Sequence, residues 1–242
     1  RPFLEYLIER LRENGITDTV LLTGYLAEKI SAYFGDGSRF GVHIRYSVGA
    51  VEDENGTRIR NAAPLLADRF LLLYCDNYWP LRLSRLAEFH AQKNALATMT
   101  VYTNKDRFTC NNVRVDEEGY VARYDPARSA DDLGGVDIGF FVVEKPALEL
   151  LSSGNISLSQ GLLPALVQKR ALAGYLTDHP YWSISTPERL ADMQNFLRPQ
   201  KVIFLDRDGV LNQKPPRGEY VRLWQEFKFL PGAMEALSLL TS

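Results

Sequence analysis

The sequence predicts a doubly wound α/β fold with a mixed sheet, followed by the opening β-strand and helix of a second α/β domain. Apolar runs that are typical of buried strands alternate with segments of helical periodicity through residues 1–197. A polar hinge, Arg198-Pro199-Gln200, then precedes a new apolar run at 201–205. We therefore divide the chain into two domains, residues 1–198 and residues 199–242.

The first domain carries clear helix and strand signals. Residues 3–13 have apolar side chains at helical spacing, and Gly15 is placed to end that helix. Residues 70–75 form a continuous apolar run, which is typical of a central parallel strand. Residues 113–124 read as two short strands around a turn that contains Gly119, which predicts a hairpin. Strand and helix thus alternate as a doubly wound sheet requires.

Composition excludes several classes of function. The 242 residues carry a net charge of −2, so no basic field exists to attract nucleic acid or an anionic membrane. No apolar run approaches the roughly 20 residues that span a bilayer. The two cysteines are too few for a disulfide framework and favour a reducing compartment, so we expect a cytoplasmic protein. The chain begins at Arg1 without a Met and stops within a predicted helix, so we expect a longer parent protein.

Two aspartates two residues apart follow the apolar run at 201–205. The segment reads Asp206-Arg207-Asp208-Gly209-Val210-Leu211-Asn212. At the carboxyl end of a strand in an open α/β sheet, such groups face the crevice where ligands bind. One carboxylate can attack phosphorus, and the second can protonate the leaving oxygen and later activate water. Mg²⁺ suits oxygen ligands and offsets phosphate charge, so the motif predicts magnesium-dependent phosphate chemistry.

This motif resembles the first motif of the haloacid-dehalogenase (HAD) superfamily of phosphatases. Its continuation through Phe227-Lys228-Phe229-Leu230-Pro231-Gly232 is similar to the histidinol-phosphate and heptose-bisphosphate phosphatases of that superfamily. The resemblance implies that Asp206 is the nucleophile, that Asp208 is the general acid/base, and that both help to hold Mg²⁺. It covers only residues 201–242, which do not contain the Ser or Thr, the Lys and the later acidic pair of the family site.

In the first domain, Asp76 follows the apolar run at 70–75. A carboxylate at a strand end is a natural ligand for the Mg²⁺ that bridges a nucleotide and a protein. A structural role, in which the acid caps a loop, is equally compatible with the local sequence.

Residues 1–197 as a whole resemble the sugar-1-phosphate nucleotidyltransferases, especially those of heptose and mannose activation. The resemblance rests on an ordered series of short motifs: Gly24-Tyr25, Tyr33-Phe34-Gly35-Asp36-Gly37, Gly56-Thr57, Cys75-Asp76, Val136-Asp137-Ile138-Gly139-Phe140 and Ser185-Thr186-Pro187-Glu188. It implies a Rossmann-like fold, and a nucleoside triphosphate and a sugar phosphate as substrates. It also implies that Asp76 binds Mg²⁺, that Gly56 and Thr57 lie near nucleotide or sugar, and that Gly139 lets the sugar approach the backbone.

The chain departs from the pattern of these transferases at three places. The glycine-rich loop that wraps the triphosphate is not among residues 1–242. The stretch Tyr124-Asp125-Pro126 stands where the family often has Glu-Lys-Pro, and Ser183 stands where it usually has a second metal-binding aspartate. Four carboxylates are open as replacements for that aspartate: Asp125, Asp131, Asp132 and Asp137. Arg123 or Arg128 is open as a replacement for the missing lysine.

The leading hypothesis is a bifunctional enzyme that joins a sugar-phosphate nucleotidyltransferase to a HAD phosphatase. It would serve activated-sugar synthesis, of heptose type, for bacterial lipopolysaccharide or another surface glycan. A bisphosphate must lose one phosphate before its 1-phosphate is coupled to a nucleotide, so the pairing is chemically sensible. One alternative is a degenerate transferase domain that binds a sugar phosphate or nucleotide, or only supports the phosphatase. Another is a phosphatase alone, acting on a histidinol-type substrate. The sequence makes no prediction of oligomeric state.

Overall fold

Ten strands and seven α-helices make up the regular structure of the part of the chain that the structure describes. The computed structural model describes residues 1–80, 82–198 and 204–241. The strands are β1 Asp18–Thr23, β2 His43–Val48, β3 Arg69–Leu73, β4 Asn77–Tyr78, β5 Ala97–Tyr102, β6 Val113–Val115, β7 Val121–Tyr124, β8 Val136–Glu144, β9 Leu172–Thr177 and β10 Trp182–Ser183. The helices are α1 Phe3–Glu13, α2 Ala27–Phe34, α3 Asn55–Asn61, α4 Leu83–Gln92, α5 Leu162–Gln168, α6 Pro187–Leu197 and α7 Ala233–Thr241.

The main sheet has the strand order β3-β8-β5-β9 and is mixed. β8 is antiparallel to both β3 and β5, whereas β5 is parallel to β9. A separate parallel pair joins β1 to β2, and β6 and β7 form the predicted hairpin. The mixed α/β prediction is therefore confirmed for this part of the chain. The prediction that residues 70–75 form a central parallel strand is wrong, because β3 lies at the edge of its sheet and pairs antiparallel to β8.

Helices cover both faces of β8, so its alternate side chains enter two different cores. Phe141 and Val143 join the cluster that includes α5, while Phe140 and Val142 join the cluster that includes Leu86 of α4. Burying a large apolar side chain contributes about 1.5–3 kcal/mol. The apolar composition of β8 on both faces is therefore what fixes this strand in the middle of the sheet.

Two helix ends form as the sequence predicts. Gly15 follows α1 with φ +80°, a conformation that glycine adopts at little cost. Thr186 Oγ1 accepts a hydrogen bond from Arg189 N at 3.3 Å, which caps α6 ahead of Pro187.

The chain divides into two units, Arg1–Phe196 and Leu197–Ser242. The predicted domain boundary near residue 199 and the first three residues of the predicted strand at 201–205 lie outside the described residues. Phe204 and Leu205 are exposed and belong to no strand, so a buried strand there is not observed. A strand needs a partner for its backbone hydrogen bonds, and residues 204–241 provide only isolated bridges. In the described residues, no helix has the length and apolar character needed to cross a membrane.

Candidate functional site

The segment after β3 runs beside the start of β8 and brings Asp76 and Asp137 into one region. Tyr74 N donates a hydrogen bond to Gly139 O at 2.9 Å. Asn77 Nδ2 donates to Ile138 O at 3.1 Å. Asp76 lies between these two anchored residues and is exposed, and its charge raises the pKa of Asp137. The structure thus places Asp76 close enough for its charge to act on Asp137.

Gly139 makes this close approach possible. Its φ is +76°, and a Cβ at this position would meet Tyr74 Cδ2 at 2.7 Å. A side chain at 139 would therefore push Tyr74, and the loop that carries Asp76, away from β8. This packing explains the glycine without a ligand, and the contact of Gly139 with a sugar stays a prediction.

Asp137 has an unusual electrostatic environment. Burial and, to a smaller extent, the nearby charge of Asp76 raise the pKa of its carboxyl to about 7. The hydrogen bond from Gly139 N to Asp137 Oδ1, at 2.8 Å, and the charge of Arg128 oppose that shift. Raised carboxyl pKa values concentrate at functional sites, because such a group binds a cation or a proton readily.

The donor set of Asp76 and Asp137 suits Mg²⁺. This ion is commonly held by one or two carboxylates, with waters and substrate phosphates completing its shell. No group of three or more His, Cys, Asp or Glu residues that could hold a metal occurs in the described ranges.

Among the four candidate replacements for the missing aspartate, the structure favours Asp137. Asp125 is already occupied, because its carboxylate accepts hydrogen bonds from the backbone of residues 127, 129 and 130. Asp132 forms ion pairs with Arg114 and Arg123. Asp131 is exposed, whereas the charge of Asp76 acts on Asp137 and raises its pKa.

Gly56 and Thr57 lie in α3 and pack against the loop at 154–158. A Cβ on Gly56 would meet Ile156 O at 2.5 Å. The Thr57 hydroxyl donates to Gly154 O at 3.3 Å and accepts from Ile156 N at 3.0 Å. Both residues are buried. Their observed contacts are structural, and their role near a nucleotide or sugar stays a prediction.

Ser183 lies on β10, the strand that pairs with the residues that follow Asp76. β10 pairs antiparallel with β4, and this pairing sets Ser183 opposite Asn77. Ile184 N donates to Asp76 O at 2.9 Å. The Ser183 hydroxyl accepts a hydrogen bond from Arg189 Nη1 at 3.0 Å. Sequence reasoning did not single out Arg189, because a lone arginine in the first turn of a helix carries no motif.

A mostly apolar cleft of about 580 Å³ lies between β1 and β3. All six residues of β1 and residues 69–75 line it, together with parts of α1 and α3. Within the described chain, neither β1 nor β3 pairs with a strand on its second edge. Arg58 holds one wall, since its guanidinium donates to Thr23 O at 2.7 Å and to Ala50 O at 2.7 Å. Tyr74 and Cys75 form the end of the cleft nearest to Asp76.

In the second unit, Asp206 is exposed and Asp208 is half-buried. Asp206 Oδ1 accepts a hydrogen bond from Arg207 N at 2.8 Å. Asp208 forms a two-point ion pair with Arg207, at 2.9 Å and 3.1 Å. This pairing lowers the pKa of Asp208. A general acid at neutral pH needs a raised pKa instead, so the catalytic and metal-binding roles of Asp206 and Asp208 stay predictions.

Comparison with known families identifies the first unit. Residues 1–183 match the family model described as "Nucleotidyl transferase". A UTP–glucose-1-phosphate uridylyltransferase of Synechocystis is 28% identical over 184 residues, covering 69% of this chain and 47% of the relative. A mannose-1-phosphate guanylyltransferase of Mycobacterium tuberculosis is 28% identical over 192 residues, covering 77% of this chain and 53% of the relative. This chain spans about half the length of these two relatives.

A shorter relative matches over most of its length. A D-glycero-alpha-D-manno-heptose 1-phosphate guanylyltransferase of Aneurinibacillus thermoaerophilus is 24% identical, covering 82% of this chain and 86% of the relative. Among solved structures, HddC from Yersinia pseudotuberculosis superposes with a TM-score of 0.68 at 18% identity, covering 81% of this chain and 86% of HddC. At that identity the superposition shows a shared fold.

A separate match concerns one short stretch of this chain. A D-glycero-alpha-D-manno-heptose-1,7-bisphosphate 7-phosphatase of Mycobacterium tuberculosis is 54% identical over 41 residues. These residues amount to 17% of this chain and 21% of the relative.

Proposed function

Because the chain belongs to the nucleotidyl transferase family of enzymes, we propose that its first unit transfers a nucleotide from a nucleoside triphosphate to a sugar 1-phosphate. The observation that carries the proposal is the meeting of Asp76 and Asp137 beside β8. Two carboxylates in one region provide what phosphate transfer needs most, a site for the cation that accompanies a triphosphate.

Asp76 and Asp137 would hold Mg²⁺, which offsets phosphate charge and helps to orient the reacting groups. Asp76 is exposed and Asp137 is half-buried, so Asp76 would meet a phosphate-bound ion from the solvent side. The hydrogen bond from Gly139 N fixes the orientation of the Asp137 carboxylate. The protein then contributes mainly positioning, which suits a reaction with little covalent chemistry for side chains to perform.

A heptose 1-phosphate is the acceptor that we propose. Two matched relatives, from Aneurinibacillus thermoaerophilus and Campylobacter jejuni, are named heptose 1-phosphate guanylyltransferases. The phosphatase relative is named for the 1,7-bisphosphate of the same sugar. Removal of the 7-phosphate from that bisphosphate leaves the 1-phosphate, so the two kinds of relative act on successive compounds. This succession of compounds supports heptose 1-phosphate as the acceptor over glucose 1-phosphate or mannose 1-phosphate. We also propose a cytoplasmic location, because the nucleoside triphosphate substrate is supplied in the cytoplasm.

Pyrophosphate release tests the transfer proposal. The protein would be incubated with GTP, Mg²⁺ and D-glycero-D-manno-heptose 1-phosphate, with mannose 1-phosphate and other nucleoside triphosphates in parallel. Asp76→Asn and Asp137→Asn should each lower the rate at least about 100-fold, because each removes a charged ligand of the ion that accompanies the phosphates. The matched control is Asp131→Asn, which removes an exposed carboxylate from the same region.

Absence of pyrophosphate release with every pair of substrates would leave the alternative of a degenerate, binding-only domain. Equal loss in Asp131→Asn and Asp76→Asn would argue against a specific metal site.

Phosphate-ester hydrolysis is a second candidate function, for the second unit. The 54% identity over 41 residues favours it. Asp206 would be the nucleophile and Asp208 the proton donor and acceptor, with Mg²⁺ held by both. The test is phosphate release from heptose 1,7-bisphosphate, compared with histidinol phosphate. Asp206→Asn should abolish the release, whereas Asp76→Asn should leave it unchanged. Full hydrolysis by Asp206→Asn would remove Asp206 as the nucleophile.

A further inference from the structure

Two arginine side chains converge on one hydroxyl oxygen in the first unit. Arg128 Nη1 lies 3.4 Å from Thr109 Oγ1, and Arg189 Nη2 lies 3.4 Å from the same atom. The two nitrogens are therefore at most twice that distance apart. Two positive side chains so close together repel each other unless an anion lies between or beside them.

The other partners of the two arginines are neutral. Arg128 Nη1 donates to Cys110 O at 2.6 Å, and Arg189 Nη1 donates to Ser183 Oγ at 3.0 Å. The guanidinium of Arg189 also lies 5.2 Å from the centre of the Phe108 ring. In the described part of the chain, neither arginine forms an ion pair with a carboxylate. Since a guanidinium has five N–H donors, both retain donors for an external anion.

Ser183 keeps Arg189 available. Its side chain is buried, and its hydroxyl accepts from the guanidinium without neutralising it. A carboxylate at 183 would form an ion pair with Arg189 and cancel one of the two positive charges. The serine therefore gives this region a different charge from the one that an aspartate would give.

The arginine pair belongs to the same region as the two carboxylates. Ser183 lies opposite Asn77, which follows Asp76 in the chain. The charge of Arg128 acts on Asp137. A cation bound by the carboxylates would thus lie near an anion bound by the arginines. A metal ion and the phosphate group that it accompanies are neighbours in the same way.

We propose that Arg128 and Arg189, with the Thr109 hydroxyl between them, form a binding site for a phosphate dianion. A phosphate presents several oxygens in a tetrahedron, so it can accept from both planar guanidinium groups at once. The phosphate belongs to a sugar phosphate or to a nucleotide, and the experiment separates the two. The proposal rests on the proposed transfer function for the identity of these ligands, but binding itself requires no catalysis.

Calorimetric titration without Mg²⁺ or a second substrate tests the site. The probes are mannose 1-phosphate, GMP and, as the phosphate-free reference, mannose. Arg128→Gln and Arg189→Gln should each weaken binding of the phosphate compound at least about tenfold, because each removes charge-assisted hydrogen bonds. Arg189→Lys keeps the charge but loses the planar fork, so its affinity should fall between those of the wild type and Arg189→Gln. The matched control is Arg123→Gln, since Arg123 is already paired with Asp132 at 2.8 Å.

Each outcome decides something. Loss of mannose 1-phosphate binding alone assigns the site to the sugar phosphate, and loss of GMP binding alone assigns it to the nucleotide. Wild-type affinity for both probes in Arg128→Gln and Arg189→Gln overturns the proposal, as does failure of the wild type to bind either probe. Because Arg128 is exposed, its variant decides the matter even if Arg189→Gln fails to fold. Arginine-dependent binding without any pyrophosphate release would reject the transfer function and leave the anion site standing.

Discussion

The two aspartate pairs of this chain have the same chemistry in opposite surroundings. Asp76 and Asp137 lie beside the sheet of the first unit, where burial raises the pKa of Asp137 to about 7. In the second unit, Asp206 is exposed and Asp208 is half-buried, and Arg207 lowers the pKa of Asp208. Burial destabilises an anion, whereas an adjacent cation stabilises it. The surroundings of a carboxylate, more than the motif that contains it, therefore decide whether its pKa is raised or lowered.

The surroundings differ because the two units have different cores. In the first unit, three clusters of buried apolar residues pack around the strands and helices. In residues 204–240, only Asn212 and Ala233 are buried, while Phe204 and Trp224 are 94% and 73% exposed. A core excludes water from the groups that it surrounds, which accounts for the raised pKa of Asp137 in the first unit.

The largest stability effect that we predict is the loss of a buried polar network in the first unit. His90 is buried and contacts Thr98 Oγ1 at 2.8 Å and Glu144 Oε1 at 2.9 Å. His90→Ala leaves a cavity and removes the partner of the buried Thr98 hydroxyl, while Glu144 keeps its ion pair with Arg69. It should therefore lower the free energy of unfolding by about 3 kcal/mol. Urea unfolding followed by tryptophan fluorescence measures this change.

The control for His90 is another histidine of the same unit. The His43 side chain is 65% exposed and lies 3.4 Å from Asp18. His43→Ala should change the free energy of unfolding by less than about 0.5 kcal/mol. Equal losses in the two variants would show that the buried network does not carry the stability of this core.

A smaller effect concerns the pH dependence that Asp137 creates. Its folded-state pKa lies above the ordinary value, so the folded protein holds a proton that the unfolded chain has already released. Stability from this group is therefore complete below about pH 4 and is lost as the pH rises to about 7. In buffer with EDTA, the free energy of unfolding of the wild type should fall relative to that of Asp137→Asn by on the order of 2 kcal/mol between pH 5 and 7.

Asp131→Asn should run parallel to the wild type across this range, because Asp131 is exposed. If Asp137→Asn also runs parallel to the wild type, the carboxyl of Asp137 is as well solvated as those of the second unit, and the contrast between the two aspartate pairs fails.

The smallest effect is expected at the surface of the second unit. Arg207→Gln removes the ion pair with Asp208, so the pKa of Asp208 should rise toward the ordinary range of an aspartate. The thermal unfolding midpoint should not change, because exposed ion pairs contribute little. Carboxyl carbon resonances followed by NMR as the pH is lowered measure this shift. An unchanged Asp208 titration would mean that Arg207 does not hold this carboxylate in solution.

Local patterns in the sequence were sufficient for several elements. The apolar spacing of α1, the glycine after it, the hairpin of β6 and β7, and the Thr186 cap all depend on neighbours a few residues apart. The mixed α/β class follows from the same alternation of strand and helix. Asp76 could be singled out because a carboxylate at the end of an apolar strand is visible without any knowledge of its partners.

The strand predicted at residues 70–75 is an example of what local sequence patterns do not predict, namely the position of a strand in its sheet. Its apolar run is compatible with any buried or half-buried strand. Only the strand order of the described residues shows that it pairs with β8 alone and borders a cleft. The apolar periodicity of a strand indicates which of its faces are buried, but it does not indicate which other strands pair with it.

By itself, the sequence determined the fold class, the family resemblance and a set of candidate carboxylates. Only the tertiary structure selected Asp137 from four of them and brought Arg128, Ser183 and Arg189 together from segments up to 61 residues apart in the chain. The reason is physical. A pKa shift or an anion site depends on distance and burial in space, and both are set by strand pairing and core packing that join residues remote in sequence.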